Sequence, residues 1–253
     1  MSNDGKRVAW VTGGGTGIGE SAAEHLAADG WTVVVSGRRK QELDRVVANI
    51  AKNGGKAEAI QLDVSDKDSV NKAAEAIVAK HGRIDCLVNS AGINVPKRSW
   101  ADMELEGWDK LVEINLNGVL YCMRAVLPTM RKQKDGTIIN VASWAGRHVS
   151  KMPGPAYTTT KHAVLALTHS FNMDECVNGL RACCFSPGEV ATPILKLRPV
   201  VPSAEEQAKM LQPEDCGRTI AFVAGMPSRV CINEILISPT HNRGFIQTPA
   251  SRD

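Results

Sequence analysis

Short runs rich in β-branched residues recur along the chain at 7–12, 31–36, 57–62, 84–89, 136–142, 180–185 and 231–237, and each reads as a strand. Between them apolar residues fall at helical spacing over 17–29, 41–52, 66–81, 105–131, 156–178 and 213–224. The strands are apolar at successive positions instead of at every second one, the mark of a sheet covered on both faces. Alternation of strand and helix from end to end predicts parallel strands joined by right-handed crossovers. The expected fold class is α/β: a Rossmann-type, doubly wound, seven-stranded parallel sheet with helices on both faces, forming a single domain over 1–253. One Pro-rich stretch, 187–202, falls between the sixth strand and the last helix, at the carboxyl edge where open α/β sheets bind ligands. Residues 189–212 are therefore expected to form a substrate loop or lid.

Charge and cysteine usage narrow the partners. The 30 Lys and Arg against 27 Asp and Glu leave a net charge of +3 without a basic block, so nucleic acid is not expected. No segment approaches the roughly 20 apolar residues of a membrane span. The seven cysteines are odd in number and lack a C-x-x-C pair, which points away from a disulfide framework or zinc ribbon and toward a reducing compartment. The apolar stretch 8–11 is too short for a signal-peptide core and stops at glycines, so a cytoplasmic location is expected.

The first strand runs into Thr12-Gly13-Gly14-Gly15-Thr16-Gly17-Ile18-Gly19, and a helical pattern starts at once. Glycines there let the chain turn tightly and let a pyrophosphate approach backbone N–H groups at a helix N-terminus. A dinucleotide is the natural ligand. A P-loop is excluded because Glu20 stands where the phosphate-binding lysine must be. The second strand ends Ser36-Gly37-Arg38-Arg39, with no carboxylate for a ribose hydroxyl and with a guanidinium suited to a 2′-phosphate. NADP is the expected cofactor, with NAD as the alternative.

Tyr157 and Lys161 are four apart in a helical stretch and so share a face, where an ammonium can tune a phenol that is otherwise a poor base near neutrality. Upstream, Ser143 ends the fifth strand, where its hydroxyl can meet a carbonyl oxygen. With these residues the chain resembles the short-chain dehydrogenase/reductase family in its shorter type of about 250 residues. The resemblance spans nearly the whole chain through Thr12-Gly-x-x-x-Gly17-x-Gly19, Asp63-Val64, Asn89-Ser-Ala-Gly92, Asn115, Ser143, Tyr157-x-x-x-Lys161, and Pro187-Gly188 with Thr192.

That resemblance implies that Tyr157 is the general acid/base, that Ser143 orients the substrate oxygen, and that Lys161 lowers the tyrosine pKa and holds the nicotinamide ribose. It implies that Asn115 holds a water in the proton relay. For the cofactor it implies contacts from Gly13, Gly15, Thr16, Gly17, Ile18, Gly19, Arg38 and Arg39, from Asp63 and Val64 at the adenine, and from Asn89, Ala91 and Gly92 at its middle. Pro187, Gly188, Val190 and Thr192 would cradle the nicotinamide end. The implied activity is an NADP(H)-dependent oxidoreductase moving hydride between nicotinamide and a small secondary alcohol or ketone, hydroxy acids included. The implied assembly is a homotetramer or homodimer through the helices at 105–131 and 156–171.

Departures from the family are Asn-Ser-Ala-Gly in place of two asparagines, Thr160 before the lysine, and a last strand ending Ile237-Ser-Pro-Thr240. That ending is similar to the hydroxy-acid dehydrogenase subgroup. Trp144, Met152, Ile93, Val95 and Ile194 are expected to give an apolar pocket, with His148 and Glu189 as polar candidates; Tyr121 falls in an apolar helical run and reads as packing. The histidines, including His162 and His169, show no metal grammar, so no metal is expected. A non-catalytic dinucleotide-binding sensor or scaffold of the same fold is the alternative, against which the intact Asn115, Ser143, Tyr157 and Lys161 set argues.

Overall fold

The computed structural model describes residues 7–243 and residue 245. Seven strands form one wholly parallel sheet: β1 (Val8–Thr12), β2 (Thr32–Gly37), β3 (Lys56–Gln61), β4 (Cys86–Asn89), β5 (Gly136–Val141), β6 (Leu180–Pro187) and β7 (Glu234–Ile237). Their order is β3-β2-β1-β4-β5-β6-β7, so the topological switch lies between β1 and β4. The central strands are buried residue by residue, as uniform apolarity requires, but β3 is an edge strand of sequence KAEAIQ and stays half-exposed. The strand near 231–237 is shorter than its pattern and begins at Glu234.

Helices α1 (Gly17–Ala28), α2 (Lys40–Lys52) and α8 (Pro213–Ala224) pack on one face. The other face carries α3 (Lys67–His81), α5 (Gly118–Gln133) and α6 (Pro155–Glu175), while α4 (Leu105–Val112) leads into α5. Two apolar layers result, one around Val11, Val33, Val35 and Phe185 and one around Trp10, Leu87, Ile138 and Val126. Tyr121 packs at the edge of the second, as its position predicts.

The helical pattern of 105–131 is not one helix. A π-turn over Glu113–Asn117 separates α4 from α5, because the Asn115 amide is drawn out to the main chain beyond β4: Ile93 N–H donates to its Oδ1 at 2.8 Å and its Nδ2 donates to Ile93 O at 2.9 Å. The segment after β6 leaves the sheet at Val190, which bridges Leu211, and Leu211 N–H donates to Glu189 O at 3.0 Å. Between these tied ends lie a 3-10 turn at Pro193–Leu197 and the short α7 (Ala204–Ala208). No helix of the described residues is long and apolar enough to cross a membrane.

Candidate active site

The carboxyl ends of β1, β4, β5 and β6 open into a cleft of about 1260 Å³. Its floor is the glycine turn. Gly13 and Gly17 have positive φ of 66° and 61°, and a Cβ added at Gly13 would lie 2.7 Å from Ala91 N. A Cβ at Gly19 would collide with the Gly13 carbonyl, so this glycine lets α1 start tightly against the turn. The amides opening α1 have no side-chain cap: Thr16 is the N-cap residue, but its Oγ1 accepts from Arg39 Nη2 at 3.2 Å. Arg45, which nothing in the local pattern singles out, braces the turn by donating to Gly15 O at 3.1 Å and to Glu20. Glu20 is thus engaged by a cation of the chain itself.

At one end of the cleft, Arg38 and Arg39 flank this turn. The Arg38 Nη1 lies 4.0 Å from Asp63 Oδ2, and the Arg38 side chain is 58% exposed and open to a ligand. Burial works against Asp63 ionisation, but hydrogen bonds from Ser65 and the Arg38 charge outweigh it and hold the carboxyl below its usual range. The residues fit a dinucleotide bearing a phosphate on its adenine ribose: uncapped helix amides for the pyrophosphate, Asp63 and Val64 at the cleft wall, and two guanidinium groups above it.

The expected site residues divide by position. Gly13, Gly15, Thr16, Ile18, Arg38, Arg39, Asp63 and Val64 line one end, and Ala91 and Gly92 the middle. Ser143, Tyr157, Lys161, Pro187, Gly188, Val190 and Thr192 line the other end. Four residues do not line it. Gly17 abuts the Thr192 side chain, Gly19 abuts Gly13, and Asn115 is fully buried behind Gly92. Asn89, expected at the cofactor's middle, lies inside the sheet, where its Nδ2 donates to Asn140 Oδ1 at 2.9 Å. Its role there is to pin β4 to β5 beneath the site.

Helix α6 begins with Pro155 at its first turn, placing Tyr157 there and Lys161 one turn on. The Ser143 hydroxyl sits at the end of β5, accepts from Ala145 N–H at 3.2 Å, and hydrogen-bonds the Tyr157 phenol. Lys161 is buried; its Nζ donates to Val141 O at 2.8 Å and stands 5.6 Å from the Tyr157 ring centroid. Burial drives the Lys161 ammonium down to about 8. In the chain by itself burial also pushes the Tyr157 phenol up, against Ser143 and the guanidinium groups of Arg198 and Arg98, which favour phenolate. The phenol thus differs from the sequence expectation: Lys161 is withdrawn toward Val141, and the tuning cations beside Tyr157 are arginines. A Cβ at Gly92 would lie 3.4 Å from Asn115 Oδ1 and 3.6 Å from Lys161 Nζ, so the three residues form one polar floor.

The pocket beyond Tyr157 is walled by Ile93, Trp144, Met152 and Ile194; Val95 turns away to Gly107. His148 stacks on Trp144 with ring centroids 4.4 Å apart, and Phe245 meets Trp144 edge-on. Glu189 does not stand free for a substrate: it accepts from Arg198 Nη1 and Arg243 Nε, each at 2.7 Å. Those two cations hold its carboxyl below the usual range despite burial, which acts the other way. The Ile237-Ser-Pro-Thr ending packs behind Gly188, whose N–H donates to Ile237 O at 2.7 Å. His162 bonds the Thr158 carbonyl, and no cluster of His, Cys, Asp or Glu among the described residues is arranged to hold a metal.

The arrangement can bind a dinucleotide along the switch point and hold a proton donor over its far end. Comparison with known proteins agrees with this architecture. The model of the short chain dehydrogenase family matches residues 7–199. An uncharacterized oxidoreductase of Staphylococcus saprophyticus is 35% identical over 237 residues, covering 92% of this chain and 97% of that protein. Among solved structures, the closed form of a serine dehydrogenase complexed with NADP+ superposes with a TM-score of 0.85 at 27% identity, covering 97% of this chain and 98% of the other. An alcohol dehydrogenase of the archaeon Thermococcus sibiricus, complexed with 5-hydroxy-NADP, gives 0.84 at 25% identity, with 94% and 98% covered. Matches of this length leave one assignment, and the chain is an oxidoreductase of the short-chain dehydrogenase family.

Proposed function

We propose that this protein is an NADP(H)-dependent dehydrogenase or reductase interconverting a small secondary alcohol and its carbonyl compound, with Tyr157 as the general acid/base. The observation that carries this reading is the convergence of the Ser143 hydroxyl, the Tyr157 phenol and the Lys161 ammonium at the far end of a cleft whose floor is the uncapped start of α1. A bound nicotinamide supplies the hydride in reduction and accepts it in oxidation. In reduction the Tyr157 O–H gives its proton to the substrate oxygen, which Ser143 Oγ holds by a hydrogen bond. In oxidation the same phenol oxygen takes the proton back.

Lys161, with its proton held at about 8, is suited to passing one on near neutrality. Asn115 keeps one Oδ1 lone pair beyond its bonds to Ile93, facing the same floor, which supports its part in a water-borne relay. The segment 189–212, tied at both ends to itself, is read as the substrate lid. Exposed Leu105, Leu120, Met173 and Val177 on and after α4, α5 and α6 support a homotetramer built on these helices.

The cofactor choice is tested at Arg38. Its exposed guanidinium can give a charge-assisted hydrogen bond to a 2′-phosphate, an interaction of about 1.5–3 kcal/mol. Arg38→Ala is expected to weaken NADPH about 10- to 100-fold in a fluorescence titration while NADH changes little. Equal loss of both cofactors would remove Arg38 from phosphate recognition.

A further inference from the structure

The proposed reaction leaves one buried cation without an anionic partner. Arg98, in the segment between β4 and α4, is only 8% exposed, yet it forms no ion pair among the described residues. One of its terminal nitrogens, Nη2, donates to the Leu197 carbonyl, and its Nε is buried with no partner among the described residues. A guanidinium cannot shed its charge, and burying one unpaired is costly. Tying down a single neutral carbonyl needs no cation.

Its surroundings say where the missing anion belongs. Arg98 lines the cleft beside Tyr157, wedged under the residue that opens α6: a Cβ at Gly154 would lie 2.8 Å from Arg98 Cβ. Arg198, on the opposite lid, is the other cation acting on the Tyr157 phenol. Its charge is shared with Glu189, which is shared in turn with Arg243. Arg198 and Arg243 thus take up the carboxylate of Glu189, and Arg243 also reaches Glu206, while Arg98 feels the charge of Asp102 but pairs with no carboxylate among the described residues. Arg38 and Arg39, at the adenine end, are not part of this balance.

Resting on the function proposed above, we infer that Arg98 is a specificity residue that receives a carboxylate of the substrate, so that the compound turned over at Tyr157 is a short hydroxy acid or its keto acid. The planar fork matches a carboxylate; Nε is sealed from the cleft and Nη2 is partly taken by Leu197, so the Nη1–Nη2 edge, whose Nη1 makes no hydrogen bond among the described residues, is the one left to a ligand. Glu189 favours a monoanion over a phosphate dianion, because it adds like charge to the same pocket. The apolar walls Ile93, Met152 and Ile194 leave the rest of a small carbon skeleton without polar contacts.

The test is calorimetric titration of NADPH-loaded protein, a dead-end pairing that does not turn over, with lactate, 3-hydroxybutanoate and their methyl esters. At least one acid is expected to bind tenfold or more tightly than its ester. Arg98→Met should bring that ratio close to one, Arg98→Lys should restore part of it, and NADPH binding should be unchanged. In steady state, Arg98→Met should raise KM for the acid about 10- to 100-fold and leave KM for the ester unchanged, whereas the loss of its charge beside Tyr157 should alter kcat equally for both. Should the Met variant not fold, the wild-type ratio and the Lys variant decide. Equal or weaker binding of both acids relative to their esters, or a preference that survives Arg98→Met, overturns the inference. Neutral alcohols turned over without any preference for acids contradict this inference alone; acids bound selectively but never oxidised with NADP+ contradict the proposed reaction alone.

Discussion

Replacing Tyr157 by Phe is expected to lower turnover by about 10²- to 10⁴-fold, the usual contribution of a positioned acid/base, while leaving NADPH affinity close to that of the unaltered protein. The loss should be that large because the proton has no second route. The other tyrosine, Tyr121, is packed against the core, and the Ser143 hydroxyl already serves Ala145 N–H and the phenol. The change should be local: Phe removes one hydroxyl whose partner in the chain is Ser143, and the ring keeps its place on the first turn of α6. Steady-state rates beside a cofactor titration check this. A Phe variant with full activity would remove the phenol from the chemistry.

Lys161→Met should separate activity from stability. Turnover is expected to fall by about 10²-fold or more through loss of the proton relay, whereas the protein should melt a few degrees higher at pH 7. The sign follows from burial. In the folded chain the ammonium releases its proton at about 8, against 10.5 in its ordinary state. Between these values the unfolded chain binds more protons, so stability of the unaltered protein rises as pH climbs from 8 to 10.5. Below 8 the cost of the buried charge is fully present. Removing it should stabilise by roughly 1–3 kcal/mol, less than the full shift because the bond to Val141 is also lost. That corresponds to about 2–10 °C for a chain of this size. The advantage should shrink as pH rises toward 10.5, and thermal melts across that range decide. A Met variant that melts lower at pH 7 would mean the ammonium is held better than its surroundings indicate.

The pattern of apolar runs carries the seven strands and their parallel order, because uniform burial on both faces leaves a direct mark on composition. It carries β3 as well, read at 57–62 and found at Lys56–Gln61, although not its half-exposure, since Lys56, Glu58 and Gln61 sit on an edge where water tolerates them. The break in the 105–131 helix is invisible locally: the bonds that draw Asn115 into a π-turn run to Ile93, which folding alone brings near. Asn89 carries the family motif, but its amide points to Asn140 of the neighbouring strand, a fact of sheet register. Glu189 reads as a free carboxylate in sequence because Arg198 and Arg243 reach it only once the chain has folded. Arg98 has no sequence signature at all. Its burial is made by Gly154 and the Leu197 carbonyl, both distant along the chain.

These differences share a cause. Residues whose role depends on their own element were legible, and residues whose role depends on a partner across the cleft were not. The glycine turn, Ser143, Tyr157 and Lys161 belong to the first kind, each placed by the end of one strand or the face of one helix. The arginines around Tyr157 belong to the second.

The central claim is that this cleft moves hydride between a nicotinamide and a carbon bearing oxygen while Tyr157 handles the proton. Its most direct test is a single turnover of the purified protein with NADPH deuterated at C4 and a panel of small ketones and keto acids, with the product analysed by mass spectrometry. The account predicts an alcohol carrying deuterium on its carbinol carbon, formed by the unaltered protein and absent with Tyr157→Phe. No labelled alcohol from any member of the panel, with NADPH bound, would contradict it.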